Sequence, residues 1–458
     1  MHFTYRSGLK IVTVLFYFYT SMTMSATYFE GTLERRAELG FKPYIEGEKL
    51  IVSKLVKESI AETAGLRDKD TIISINSIPV SRDLLKEKYR LLRHSGGEKL
   101  IIEVMRDKNL KSFQFKPDNK QLEKIEGIDN FYNVIDISND IRLRSIVSIP
   151  TKSKKQNTSQ IIKRPAIFFV QWVSCGSVEY LKNNLGGDFA KLVKQSGRAL
   201  IRVERSTSGD SLGKPCHLLD YNAELEHYFQ AFLKLRLDPH IDSSNIIIYG
   251  SSLGSTIAPL LAEKLINNNI PIAGVMIQGG GAVTYLERMI NFERHYMERR
   301  TSIETNIIHE QMINRIRFQV EYLANSRHPD SIEKDSKAMK TIRNDILGMS
   351  KANHYGRPFS WHQQAAEHNF LKAWKRIKSP VLVVFNEFDQ FESEHGHKMI
   401  VDFINRWRPN TATFIKQTGI GHGNYAYTTT EKAYQFTKGV DMTDKLLNHM
   451  TNWLKEIK

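Results

Sequence analysis

Cysteine is scarce in this chain, with two in 458 residues. That excludes a small disulfide-stapled scaffold, which needs several bridges in a short length. No apolar run reaches the roughly 18 residues that span a bilayer, so a multi-span protein is excluded and no stable transmembrane span is expected. Zinc-ligand spacing and a glycine-rich phosphate loop are also missing, so neither a metal nor an organic cofactor is expected. Acidic residues fall short of basic ones, 50 against 65, for a net charge of +15. A basic surplus can mean nucleic acid, but no recognition motif accompanies it, and no nucleic-acid partner is expected. An anionic neighbourhood such as a cell-envelope surface fits the charge as well. The apolar and charged fractions, 41% and 25%, are those of a globular protein, and the length asks for two or three domains.

The first 26 residues have the layout of a secretory signal peptide. Arg6 and Lys10 precede the apolar stretch Ile11–Tyr19, and Thr23-Met-Ser-Ala26 is a small-residue exit. Cleavage is expected after Ser25 or Ala26, with the mature chain periplasmic or secreted; an uncleaved anchor is the alternative. The segment holds only two of the positive charges, so the surplus belongs to the folded part. An oxidising compartment would permit a bridge between Cys175 and Cys216.

Residues 34–117 read as a small β/α domain. The strand-like runs Leu50–Ser53, Thr71–Ile75 and Lys99–Met105 alternate with turns. Between them lie Ser59-Ile-Ala-Glu-Thr-Ala-Gly-Leu66, Arg67-Asp-Lys-Asp70 and Ile75-Asn-Ser77. This pattern resembles the PDZ family. The resemblance implies that Leu39, Gly40 and Phe41 form the loop whose backbone N–H groups receive a peptide's terminal carboxylate, the peptide then adding as a strand to the sheet edge. Three departures stand out: Glu38 beside that loop disfavours an anionic peptide end, and Lys69 and Ser77 occupy turns where glycine is usual. A rigid regulatory wing is the alternative role.

Residues 120–458 change to near-continuous apolar strands separated by helical stretches. Pro165–Val170, Arg198–Val203, Asn245–Tyr249, Ile272–Ile277 and Val381–Phe385 have no polar face, as expected for a mostly parallel sheet covered by helices on both sides. At the end of one such strand stands Gly250-Ser-Ser-Leu-Gly254, a G-x-S-x-G turn opening a helix. It makes Ser252 the candidate nucleophile, with the N–H of Leu253 as one oxyanion donor. A serine nucleophile needs a base and an orienting acid. Asp389 (with Glu387 as the weaker choice) and His422 lie in later strand-following loops, in the order serine, acid, histidine. His395 and His397 read as the start of an exposed helix.

This part resembles the α/β-hydrolase family, and within it exported serine hydrolases that carry an N-terminal PDZ domain. Val203–Ser211 with Pro215-Cys216, Trp361-His-Gln-Gln364, and Ala373-Trp374 before Pro380 also carry the resemblance. Many relatives place a His-Gly loop after the third strand for a second oxyanion donor; here the loop is Gln171-Trp-Val-Ser-Cys-Gly-Ser177, and Val173 is the candidate donor. Cys175 lies in that loop and Cys216 in the next, so a disulfide at the catalytic edge is expected. Residues 282–378 form a helix-rich insertion, expected to cap the site, with Ile313, Ile316, Val320 and Leu323 at helical spacing. The favoured function is an exported serine esterase or amidase acting on a small-molecule or peptide acyl substrate. A serine peptidase of aminopeptidase type is the runner-up. A catalytically inactive, peptide-binding PDZ scaffold is the reading from another class.

Overall fold

The computed structural model describes residues 33–80, 94–151, 161–179, 184–281, 283–298 and 303–457. The expected signal peptide, Arg299, Arg300 and Ala282 lie outside these residues.

Two sheets organise the chain. The first contains β1 (Lys42–Glu46), β2 (Lys49–Ser53), β3 (Thr71–Ile75), β4 (Ile78–Pro79), β5 (Leu100–Arg106) and β6 (Asn109–Phe115). Its order is β1-β2-β3-β5-β6, with β4 paired to β3, and every pairing is antiparallel. Leu50, Val52, Ile72, Leu100, Ile102 and Val104 point inward at alternate positions and bury a core with Ala61 and Leu66 of the short helix Ile60–Thr63. The turns that depart from the family pattern are left-handed: φ is +73° at Lys69 and +64° at Ser77. The backbone keeps the glycine-type conformation although a side chain is present.

The second sheet contains β7 (Ile128–Ser138), β8 (Ile141–Pro150), β9 (Arg164–Val170), β10 (Ala199–Val203), β11 (Ile241–Ser251), β12 (Gly274–Gln278), β13 (Val381–Asn386) and β14 (Ala412–Gln417). The order is β14-β13-β12-β11-β9-β10-β8-β7. Only β8 runs against its neighbours; β9 to β14 are parallel. This is an α/β-hydrolase fold. Its central strands bury both faces by alternation: Ala166, Phe168 and Val170 join one core, Ile167 and Phe169 the other. The first core is covered by the helices Tyr221–Leu235, Gly254–Asn267 and Glu394–Trp407, the second by Asn184–Ser196 and Thr443–Glu456. Pro259 leaves the helix Gly254–Asn267 unbroken.

Between β12 and β13 lie the cap helices Tyr285–Glu298, Thr305–Gln319 and Phe359–Glu367; the first packs against the other two, and the last against the helix Tyr221–Leu235. Of the apolar positions at helical spacing, Leu323 is buried and Ile316 and Val320 are half-buried. Ile313 is 39% exposed, whereas Met312, Arg315, Phe318 and Gln319 are buried. Arg315 enters the core because Glu293 and Asp345 pair with its guanidinium, and a charge buried with partners is tolerated where a lone one is not. No described helix is long and apolar enough to cross a membrane.

Candidate functional site

Ser252 sits on the tight turn between β11 and the helix Gly254–Asn267, at φ +51°. Such left-handed geometry in a non-glycine residue is strained and lifts the side chain clear of strand and helix. The turn closes only because Gly254 lacks a side chain: a Cβ there would lie 2.2 Å from the carbonyl oxygen of Val170. The Ser252 N–H donates to the Gln278 carbonyl at 2.7 Å and ties the turn to β12.

Ser252 Oγ lies 2.9 Å from His422 Nε2, and His422 Nδ1 lies 2.7 Å from Asp389 Oδ2. An ionised Asp389 only accepts, so Nδ1 carries the ring proton and Nε2 turns its lone pair to the serine hydroxyl. The other carboxylate oxygen of Asp389 accepts the N–H groups of Phe391 (2.8 Å) and Glu392 (2.9 Å). Burial works to raise the Asp389 pKa, but His422 and these N–H donors hold it below the usual value. Burial likewise works to lower the His422 pKa, and Asp389 overcomes it, so the net direction is upward. Glu387, the weaker acid candidate, instead accepts the Gly419 N–H and pairs with Lys416.

Leu253 and Val173 both border the cavity beside Ser252. Neither backbone N–H has an acceptor among the described residues. The loop of Val173 is held from behind through its carbonyls. Arg205 donates to the carbonyls of Ser174 (2.6 Å) and Gln171 (2.9 Å), and Arg357 to those of Val173 (3.3 Å) and Cys216 (2.8 Å). Both guanidinium groups pair with Glu224, fully buried on the helix Tyr221–Leu235. Sequence reasoning missed these arginines as functional, although Arg205 lies inside the quoted Val203–Ser211 segment. Cys175 and Cys216 form a disulfide, S–S 2.03 Å, which joins this loop to the next.

His397 corrects an expectation. It is fully buried rather than exposed, its Nδ1 donating to the Ser393 carbonyl (2.8 Å) and its Nε2 accepting the Gly280 N–H (3.1 Å). Burial pushes its pKa down to about 4, so it stays neutral while supporting the glycine run beneath Ser252 and His422. The run Gly279-Gly-Gly281 was the available cue. Of the cap aromatics, Tyr355 lines the cavity, whereas Phe359 and Trp361 are buried in the core.

In the first sheet, Phe41 is buried, Leu39 packs beside it, and the Gly40 carbonyl accepts the Val56 N–H at 2.7 Å. The strand that follows, β1, is an edge of its sheet. Residues 51–106 match the PDZ domain model. The N-terminal unit is a PDZ domain. Residues just before its Leu39–Phe41 loop reach the hydrolase unit: Arg35 pairs with Glu179 (3.0 Å) and Asp210 (2.5 Å), and Arg36 donates to the Thr207 carbonyl.

Among curated proteins, the chain is 18% identical over 396 residues to a probable CtpA-like serine protease of Staphylococcus aureus (strain MRSA252), covering 85% of this chain and 74% of the relative. Among solved structures, it is similar to the acylaminoacyl peptidase of Pyrococcus horikoshii, with a TM-score of 0.45, 12% identity, and 93% and 56% of the two chains covered. It is also similar to carboxyl esterase 2 of Tuber melanosporum, with a TM-score of 0.44, 12% identity, and 73% and 89% covered. At these scores the likeness decides neither fold nor chemistry, which rest on the topology and geometry above.

Proposed function

We propose that this chain is an exported serine hydrolase that cleaves an ester or amide through Ser252, His422 and Asp389, with its PDZ domain serving peptide binding or regulation. The observation that carries the reading is the continuous relay from Ser252 Oγ through His422 to Asp389. Ser252 attacks the scissile carbonyl while His422 Nε2 takes its proton and later returns it to the leaving group. Asp389 keeps the ring in the required tautomer and stabilises the imidazolium. The N–H groups of Leu253 and Val173 hold the oxyanion of the tetrahedral intermediate. Water then releases the acyl group by the same steps in reverse order.

The disulfide supports export, since such bonds persist in oxidising compartments. The position of β1 at the sheet edge among the described residues, beside Leu39, Gly40 and Phe41, supports strand addition by a peptide C-terminus. Hydrolysis of a p-nitrophenyl ester tests the reading. Ser252→Ala and His422→Ala should each lower kcat by on the order of 10⁴ or more. Unchanged turnover in either variant removes the proposal.

A further inference from the structure

One face of a cap helix becomes a wall of the site. Tyr285, Arg288, Met289 and Phe292 stand at i, i+3, i+4 and i+7 on the helix Tyr285–Glu298, and all four line the cavity that holds Ser252 and His422. The cavity has a volume of about 390 Å³. Its aromatic side is continuous from the histidine into the cap. The Phe391 ring lies 5.0 Å from the His422 ring and 5.8 Å from Phe292, which meets Tyr355 edge-on at 6.2 Å.

The polar groups along the wall are already engaged. Arg288 pairs with Glu392 behind the wall, and Tyr285 Oη bonds His362 Nδ1 at 2.8 Å. Since His362 Nε2 faces the His354 carbonyl at 2.8 Å, that nitrogen carries the proton and the Tyr285 hydroxyl donates to Nδ1. Among the described residues no aspartate or glutamate lines the cavity. An ammonium group beside the scissile carbonyl would therefore enter an apolar space without a carboxylate partner and next to a guanidinium.

We propose that this cavity takes the neutral, apolar acyl group of an ester, of about eight carbons, and rejects aminoacyl substrates with a free amine. The size follows from volume: a cavity of about 150 Å³ accepts benzene, so this one holds on the order of fifteen carbons, shared between acyl and leaving groups. The assignment rests on Ser252 as nucleophile, and it turns the esterase-or-peptidase choice towards the esterase.

The test compares kcat/KM of the full mature chain on p-nitrophenyl acetate, octanoate and palmitate and on leucine p-nitroanilide. Octanoate should lead, with the free-amine anilide lower by on the order of a hundredfold or more. Met289→Trp, which fills the cap end, should lower the octanoate-to-acetate ratio about tenfold. Phe292→Ala, which opens the same end, should raise the palmitate-to-octanoate ratio and serves if the tryptophan variant does not fold. Acetate or the anilide leading overturns the assignment, as do ratios unmoved in folded variants. A fluorophosphonate probe separates the two levels: labelling without octanoate preference overturns the acyl assignment alone, and no labelling overturns the nucleophile with it.

Discussion

The guanidinium of Arg288, on a cap helix, is paired with the buried carboxylate of Glu392, whose own backbone N–H donates to Asp389 at 2.9 Å. The second oxygen of Glu392 accepts the Gly281 N–H at 3.3 Å. Cap, acid loop and glycine run therefore meet at one ion pair behind the candidate triad.

That pair should set the acid limb of activity. The charged groups facing His422 are Asp389, Glu392 and Arg288; His397 is also close, but its pKa near 4 leaves it neutral in the working range. A general base works deprotonated, and the His422 pKa is raised above 6.5, so kcat/KM should climb through a limb above pH 6.5. Glu392 raises that pKa and Arg288 lowers it. Glu392→Gln should therefore move the limb to lower pH, and the double variant Arg288→Gln/Glu392→Gln should move it back towards the parent. A purely structural pair would lower kcat/KM at every pH and leave the limb in place.

The loop of Val173 should depend on the arginines behind it. Burial works to raise the Glu224 pKa, but Arg205 and Arg357 hold it below the usual value, so the carboxylate is charged within the core. Arg205→Ala leaves it with one cationic partner, Arg357, beside the Trp361 N–H, and frees two carbonyls, which should cost about 3 kcal/mol in urea unfolding. In the folded fraction, kcat should fall more than KM rises, because an oxyanion donor acts in the transition state.

The Val203–Ser211 segment owes one of its residues to a close approach. A Cβ on Gly209, at φ +49°, would sit 1.8 Å from the Glu204 carboxylate. That carboxylate accepts from Arg144 at 2.8 Å and from the Asp210 N–H at 3.0 Å. Gly209→Ala should destabilise the protein by more than about 3 kcal/mol, read as loss of soluble folded protein or a large drop in Tm.

The disulfide closes a 41-residue separation. On loop entropy alone, Cys175→Ser/Cys216→Ser should lose about 4 kcal/mol in chemical unfolding. The PDZ domain offers a change of opposite sign: Lys69→Gly relieves a left-handed non-glycine residue and should gain about 1 kcal/mol.

Much of this arrangement is legible in the sequence because strands buried on both faces read as unbroken apolar runs. Ser252, Asp389 and His422 each follow such a run or the strand beside it, and a parallel sheet brings strand ends to one edge. The pairing of the cysteines is legible for the same reason. Buried charge is not. Arg205, Arg288, Arg315 and Arg357 look like surface residues by composition, since their carboxylate partners are distant in sequence. That blindness put His397 at the start of an exposed helix. The structure buries it, because both ring nitrogens are hydrogen-bonded, to the Ser393 carbonyl and the Gly280 N–H.

Mapping a fluorophosphonate adduct by peptide mass analysis tests Ser252 as the nucleophile. One stoichiometric adduct is expected, carried on Ser252 and suppressed in His422→Ala. An adduct on another residue, or none in protein shown to be folded, would contradict it.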